Sequence, residues 1–472
     1  MLGYIQEGKR YEIYLSEQNK QNKKEQGQYY TPKDVAFVMS KWFHQLKGEN
    51  ICDVGCGTGN LILTYLDFIG EKKSRELIQK RRIFLYDIDK MALRICKNLI
   101  LEKYGDDLES FLQLFHCDFL DKTISLPNYC KVISNPPYAK IKEVKSSWAE
   151  GKVIKESKEY YASFMEKIIQ QSESSVIISP YSFLNGNKFF SLRQELNFHS
   201  GFFVSFDNVP NSIFCRKYGV FNSNTSNSVR ATISVITNEN GKQGFRISPL
   251  IRFKSEEREK LLHNEVLEKT LGSRYQTISS QDEISKMYCK CEKSLESLWE
   301  VWRGKSSKTF KNLINENSFF NLPEYTLYFP NTCRYYTIAA CYDLERSGKY
   351  RFDFYDEEIF YYCYCFLNSS FCYWFWRMYD GGITYTKGLL ESMPMFYDIL
   401  TLEDKQFFNL LAKEMIEKEK EYIKTKNNVG IQENIKFPPT YRKVINQRLL
   451  SILGVEKEES CFDVIHRNAF FE

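Results

Sequence analysis

"NICDVGCGTGN", residues 50–60, runs from a short apolar stretch into glycines at every second position and on into a helical pattern. Gly55, Gly57 and Gly59 permit a tight turn and let a ligand approach the backbone closely. A strand that passes through such a turn into a helix is the opening unit of a parallel α/β sheet, with its ligand at the strand's C-terminal end. The spacing narrows the choice of ligand. A dinucleotide fingerprint, G-x-G-x-x-G, has its third glycine one residue later, and the turn holds no lysine to cradle a phosphate. Glycine-rich turns of this kind hold NAD, FAD, phosphates and methyl donors alike, and the plain alternative is an ordinary strand-to-helix connection.

The flanking sequence repeats the unit. Candidate strands are 50–55, 82–89, 111–118, 130–135, 174–180, 201–209 and 230–237, with helical patterns at 59–69, 90–104, 158–171 and 187–198. The last two strands have no helix between them, so they are expected to pair antiparallel across a long loop. The expected fold class is therefore α/β, a Rossmann-like seven-stranded sheet. Its end is expected near residue 240, within "TNENGKQG" (237–244), giving domains 1–240, 241–400 and 401–472, the second of them mixed α+β. Aromatic residues gather between 319 and 385, and the run 360–378, including "FYYCYCFL", is too apolar to leave in water and reads as core. The last domain is expected to be helical, opening with an amphipathic helix over 402–424 that turns Phe407, Leu410, Leu411 and Met415 inward.

The chain's 472 residues, 43% of them hydrophobic, suit two or three folded domains. No apolar run nears the roughly 18 residues that span a bilayer, and the N-terminal residues lack the core of a signal peptide, so no membrane partner is expected. The 14 cysteines follow no disulfide framework. The pairs Cys289/Cys291 and Cys363/Cys365 are spaced C-x-C, shorter than structural zinc favours, so reduced thiols and no metal are expected. The whole net charge of +5 lies in residues 1–240, which leaves 241–472 neutral. A polyanion bound by the second half would have to be held by local residues, not by bulk charge.

Three successive strands end in carboxylates: Asp53, Asp87 in "LYDID" (85–89) and Asp118 in "HCDFL" (116–120). Asp87 can accept both hydrogen bonds of a ribose diol. Asp118 can accept from an exocyclic amine while Ile88 and Phe119 sandwich an adenine. Each carboxylate alone is an ordinary solvated cap, but three in succession after such a turn form a nucleoside-site pattern.

The fourth strand ends in Asn135-Pro136-Pro137-Tyr138. Two prolines end a ladder and stiffen the chain. A rigid amide-and-carbonyl pair suits a particular difficulty: an aromatic amine is a poor nucleophile, because its lone pair is delocalised into the ring. With one N–H accepted by the Asn135 side-chain oxygen and the other by the Pro136 carbonyl, the nitrogen moves toward tetrahedral geometry, its lone pair facing a methylsulfonium. Tyr138 would stack on the base. The plain alternative is a strand end with Tyr138 as packing.

With "GQYYTP" (27–32), "DVGCGTGN" (53–60), "DID" (87–89), "CDF" (117–119) and "NPPY" (135–138) in that order, residues 25–240 resemble the γ-class N6-adenine DNA methyltransferases. The remainder is more loosely similar to the target-recognition domains of type II and type IIG methylases. The resemblance implies a site-specific enzyme that flips an adenine out of double-stranded DNA and methylates its amine from S-adenosyl-L-methionine. It also implies a restriction–modification setting and a cytoplasmic, nucleoid-associated location in a bacterial host. By motif, Thr31 would meet the methionine carboxylate, Asp53, Gly55, Cys56 and Gly57 the rest of the methionine end, and Asp87 the ribose. Ile88, Asp118, Phe119 and Pro137 would hold the cofactor's adenine. Asn135, Pro136 and Tyr138 would act on the target base, with Phe214 (Tyr218 as fallback) as a second aromatic against it. Arg216 and Lys217 beside it, and Arg334, Asn368, Tyr385 and Lys387 further on, are candidates for phosphate or base contacts.

Type IIG enzymes place a D…E-x-K nuclease cluster ahead of these motifs. Here 26 residues precede "GQYYTP", and the E-x-K at 7–9 has no aspartate upstream, so any restriction endonuclease partner is expected to be a separate protein. The same chemistry leaves other readings open: N4-cytosine in DNA, adenine in RNA, a protein glutamine amide, or a catalytically silent DNA-specificity protein. The long second half disfavours the RNA and protein acceptors. Cytosine enzymes more often carry serine where this chain has Asn135.

Overall fold

Strands β1 (Asn50–Val54), β2 (Ile83–Asp87), β3 (Gln113–His116), β4 (Cys130–Ser134), β5 (Ser174–Pro180), β6 (Ser200–Phe206), β7 (Ala231–Thr237) and β8 (Gly244–Ile251) form one sheet, in the order β3-β2-β1-β4-β5-β7-β6-β8. The computed structural model describes residues 31–148, 151–214, 229–238, 243–316, 318, 323–333, 335–380, 382, 384–428 and 430–471. β1 to β5 pair in parallel, β7 runs antiparallel between β5 and β6, and β8 adds parallel to β6. The antiparallel β6–β7 pair and the other five expected strands lie where the sequence places them. Helix α1 (Lys33–Gln45) precedes β1, α2 (Asn60–Ile69) and α3 (Glu71–Gln79) join β1 to β2, α4 (Lys90–Tyr104) leads to β3, α5 (Lys152–Ser157) and α6 (Tyr160–Gln171) join β4 to β5, and α7 (Phe190–Leu196) joins β5 to β6. β4 and β5 are buried almost throughout, as strands covered on both faces must be. One apolar core joins Val35, Ile62, Leu85, Ile133, Val176 and Phe206.

The eighth strand departs from the seven expected. Pro249 lies inside β8, and proline is admissible in a sheet at an edge, which is where β8 lies. With β8 in the sheet, the chain divides at Ser279, not near 240, and the first unit also takes the C-terminal residues from Asn468.

The second unit is Ser280–Arg467. It contains the antiparallel pair β9 (Tyr325–Pro330) and β10 (Lys349–Phe354), and helices α8 (Glu296–Lys305), α9 (Glu357–Leu367), α10 (Ser370–Tyr379), α11 (Leu402–Lys418) and α12 (Pro439–Ile452). The aromatic run of α9 and α10 is buried along its whole length, as its composition requires. Trp302 lies at the centre, 5.2 Å from the Phe371 ring and 5.8 Å from Trp374, its indole N–H donating to the Pro394 carbonyl at 3.0 Å.

Two expectations for the C-terminal region are corrected. α11 ends at Lys418, and the chain then forms a two-stranded ribbon, β11 (Ile423–Asn428) with β12 (Gly430–Ile435), so 401–472 is not wholly helical. Its buried stripe is Asp404, Phe408, Ala412 and Met415, which leaves Leu410 72% exposed. The stripe runs at i, i+4, i+8 and i+11, a helical phase that rotates Leu410 to the outside. Among the described residues, no helix is long and apolar enough to cross a membrane, and no three His, Cys, Asp or Glu side chains gather as a metal site.

Candidate active site

The glycine turn takes the backbone where side chains rarely go: φ is +72° at Gly55, +53° at Gly57 and +92° at Gly59. A Cβ on Gly59 would stand 2.5 Å from Cys96 Sγ on α4, so the turn could not pack there with another residue. Asp53, at the end of β1, is fully buried. Its Oδ2 accepts from the Ile62 N–H at 3.1 Å, while Oδ1 has no hydrogen-bond partner among the described residues. Burial pushes this carboxyl up to about 8, against the pull of the Ile62 N–H and with a further push from the charge of Asp87.

Asp87 joins the glycine turn to the end of β2. Its Oδ2 accepts from the Gly57 N–H and its Oδ1 from the Asp89 N–H, both at 2.7 Å. Burial raises its carboxyl above the ordinary range, and those two N–H groups oppose the rise. A carboxylate has about four lone-pair sites, so capacity remains for a diol. Ile88 beside it is 63% exposed, an open apolar face.

The adenine side is arranged less simply than the motifs imply. Asp118 Oδ2 accepts from Lys145 Nζ at 2.8 Å and from the Trp148 indole at 2.9 Å. Phe119 is buried against Tyr86 and Phe164, with Lys167 Nζ 4.8 Å from its ring centre. That ammonium also donates to the carbonyls of Phe119 and Asp121 at 2.6 and 2.7 Å, which fixes the turn after β3. Lys145, Trp148 and Lys167 come from distant stretches, and nothing in the sequence marks them as neighbours of Asp118.

At the end of β4, Ser134 Oγ donates to the Val54 carbonyl at 2.6 Å, tying the start of the Asn-Pro-Pro-Tyr loop to β1. The Asn135 carbonyl lies 3.9 Å from where a Cβ on Gly55 would stand, so the glycine turn and the Asn-Pro-Pro-Tyr loop are neighbours. Asn135 Nδ2 donates to the buried Thr31 hydroxyl at 3.0 Å. That bond orients the amide with its nitrogen toward Thr31 and its oxygen turned away from it. Pro136 is buried and Pro137 half-buried. Tyr138 donates its hydroxyl to the Ile178 carbonyl at 3.0 Å, and its ring meets Phe214 edge-on, centres 6.0 Å apart.

The sequence-derived residues Thr31, Asp53, Gly55, Asp87, Asn135, Tyr138 and Phe214 thus share the strand-end region of the first unit. Arg216, Lys217 and Tyr218, residues 27–30 of "GQYYTP", and Arg334 lie outside the described residues. In the second unit, Asn368 and Tyr385 are corrected as base readers. Asn368 is buried, its amide bonded to Ala339 N–H and to the Ala339 and Tyr364 carbonyls, and Tyr385 is fully buried. Lys387 is exposed, with its ammonium 5.7 Å from the Phe352 ring centre and 3.7 Å from Glu391.

A parallel-dominated sheet, a glycine turn after its first strand and an amide at the end of its fourth meet in the first unit. The chain belongs to the N-6 DNA methylase family, whose model matches residues 6–284. Over 195 residues it is 28% identical to the type II methyltransferase M.BsuBI of Bacillus subtilis, covering 37% of this chain and 38% of that protein. It is 27% identical over 186 residues to M.PstI of Providencia stuartii, covering 36% of each. The matched segment therefore spans well under half of either relative. Among solved structures, a DrdV–DNA complex covers 86% of this chain and 58% of its own at 12% identity and a TM-score of 0.49. A modification subunit of a putative type I restriction enzyme from Vibrio vulnificus YJ016 covers 54% and 56% at 15% identity and a TM-score of 0.40. The family implies S-adenosyl-L-methionine, and the donor set fits it: a buried carboxyl with an open oxygen for a cation, a strand-end carboxylate for a diol and an exposed apolar face for a ring.

Proposed function

We propose that the chain is a site-specific DNA adenine-N6 methyltransferase using S-adenosyl-L-methionine. The observation that carries this reading is the Thr31–Asn135 hydrogen bond, which holds an amide at the end of β4 beside the glycine turn. Thr31, Asp53 and the Gly55–Gly57 turn would hold the methionine end of the donor, Asp87 its ribose, and Ile88 with the Asp118–Phe119 turn its adenine. Bound there, the donor supplies an electrophilic methyl group.

The chain's own residues prepare the acceptor. Asn135 Oδ1 takes one N–H of the target amine and the Pro136 carbonyl the other, which withdraws the nitrogen lone pair from the ring. Because prolines fix the backbone and Thr31 fixes the amide, little reorganisation accompanies the reaction. An adenine in a duplex is out of reach of such a pocket, so the base is extruded first. Tyr138 receives it, and Phe214, now edge-on to Tyr138, moves aside to form the second face. The amine keeps one hydrogen; the N–C bond would form as the methyl–sulfur bond of the donor breaks with its electron pair staying on sulfur, and the second hydrogen would leave as a proton to water.

The test is methyl transfer from labelled S-adenosyl-L-methionine to duplex plasmid DNA, with nucleoside analysis of the product. N6-methyladenine is expected, and Asn135→Ala should lower the rate by ~10²–10³-fold or more while donor affinity stays within tenfold, since only an interaction of the transition state is removed. Label in RNA or protein but never in duplex DNA overturns the reading.

A further inference from the structure

The ribbon β11–β12 in the second unit is the element that the proposed chemistry leaves unused. Its register pairs Lys424 with Asn434 and Lys426 with Gln432, alternating with Ile423–Ile435 and Thr425–Glu433. Side chains alternate across a strand, so the two sets occupy opposite faces. One face packs on the unit. Ile435 is buried with Ile338, Ala340 and Leu344, Ile423 packs against them, and Glu433 accepts from the Glu345 N–H at 2.7 Å.

The other face carries Lys424, Lys426, Gln432 and Asn434: ammonium and amide groups, with no carboxylate. Both lysines are exposed, and neither pairs with a carboxylate among the described residues. Asn434 accepts from the Arg346 guanidinium, which adds a third cation at the foot of the ribbon and also donates to Thr332 Oγ1 at 2.9 Å. In a half-chain whose charges sum to zero, this segregation turns the one carboxylate of the pairs inward and the cations outward.

We propose that this face of the ribbon enters the major groove of duplex DNA, which rests on the function proposed above. A two-stranded ribbon fits that groove. Lysines serve phosphates or guanine edges there, and Gln or Asn amides pair bidentately with adenine. The occupant follows from charge: the face offers only donors and amides, and DNA is a polyanion lined with acceptors.

The experiment uses the full chain and a duplex carrying the sequence that it methylates, found by methylome sequencing of cells expressing it. The doubly substituted Lys424→Ala, Lys426→Ala chain should bind this duplex ~10–100-fold more weakly near 0.15 M salt, and the slope of log affinity against log salt should fall by about 2. Its affinity for S-adenosyl-L-methionine should not change, which shows that the first unit is folded. Gln432→Ala should relax the methylated sequence at one position. A wild-type chain that methylates duplex DNA, with variants keeping its affinity, slope and sequence, overturns the ribbon proposal alone. A wild-type chain that methylates no duplex overturns both readings.

Discussion

Two buried carboxylates, Asp53 in the first unit and Glu419 in the second, are hydrogen-bonded in opposite ways. In the second unit, the buried carboxylates Glu419 and Glu292 are hydrogen-bonded. Glu419 accepts from the Cys341 and Tyr342 N–H groups and the Tyr364 hydroxyl, each at 2.8 Å, and Glu292 accepts from the Trp374 indole at 2.9 Å. In the first unit, Asp53 is as deeply buried but leaves Oδ1 open at the end of a strand. A completed buried group rigidifies a fold, and an incomplete one at a strand end keeps its capacity for a ligand. The difference separates a carboxylate that holds architecture from one left with capacity for a ligand.

The sharpest way to break this comparison is Glu419→Ala. Truncation strands two backbone donors and a tyrosine hydroxyl in the interior, and should cost about 3–5 kcal/mol in denaturant unfolding. A loss below about 1 kcal/mol would mean that the carboxylate does not hold the architecture of the second unit.

Asp53→Asn should do the reverse. Folded, this carboxyl titrates at about 8, and unfolded at about 3.9. Between these values the folded chain holds a proton that the unfolded chain has released. The associated stability is therefore complete below about pH 4, falls as pH rises through the window, and is lost above about pH 8. The amide resembles the protonated acid at every pH. Donor-free Asp53→Asn should thus be more stable than wild type at pH 8 by about 1–3 kcal/mol, the gap closing toward pH 5, while binding the cationic donor less well. Parallel unfolding curves for the two proteins from pH 5 to 8.5 would remove Asp53 from the class of incomplete groups.

Why the first unit was easier to read follows from where its chemistry lies. Asp53, Asp87, Asn135 and the glycines stand at the ends of apolar runs, so local pattern places strand and functional residue together. β8 escaped because Arg246 and Pro249 interrupt its apolar alternation, and only its edge position makes that acceptable. The ribbon escaped for another reason. "IKTKNNVGIQENI" (423–435) is rich in Lys, Asn and Gln and follows a long Lys/Glu helix, so charge patterning carries the helix through it. Lys145 and Trp148 reach Asp118 through tertiary contacts, for which the spacing of residues holds no signal, and the motif marks Thr31 without showing its bond to Asn135.

Thr31 tests how far the incomplete groups depend on completed neighbours. By motif it would contact the methionine carboxylate, whereas the structure bonds its hydroxyl to Asn135 Nδ2 at 3.0 Å. The two roles separate kinetically. Thr31→Val keeps the shape and removes the acceptor that orients the Asn135 amide nitrogen. At saturating donor and DNA, single-turnover methyl transfer should fall about 10–30-fold, the worth of one hydrogen bond to a group acting in the transition state. Thr31→Ser, which restores the oxygen, should recover most of that rate. A residue that served only the methionine carboxylate would show a weaker donor Kd and an unchanged rate at saturation. That outcome would leave the prolines alone to hold the acceptor pair, and the buried hydroxyl of Thr31 would belong with the donor and not with the base.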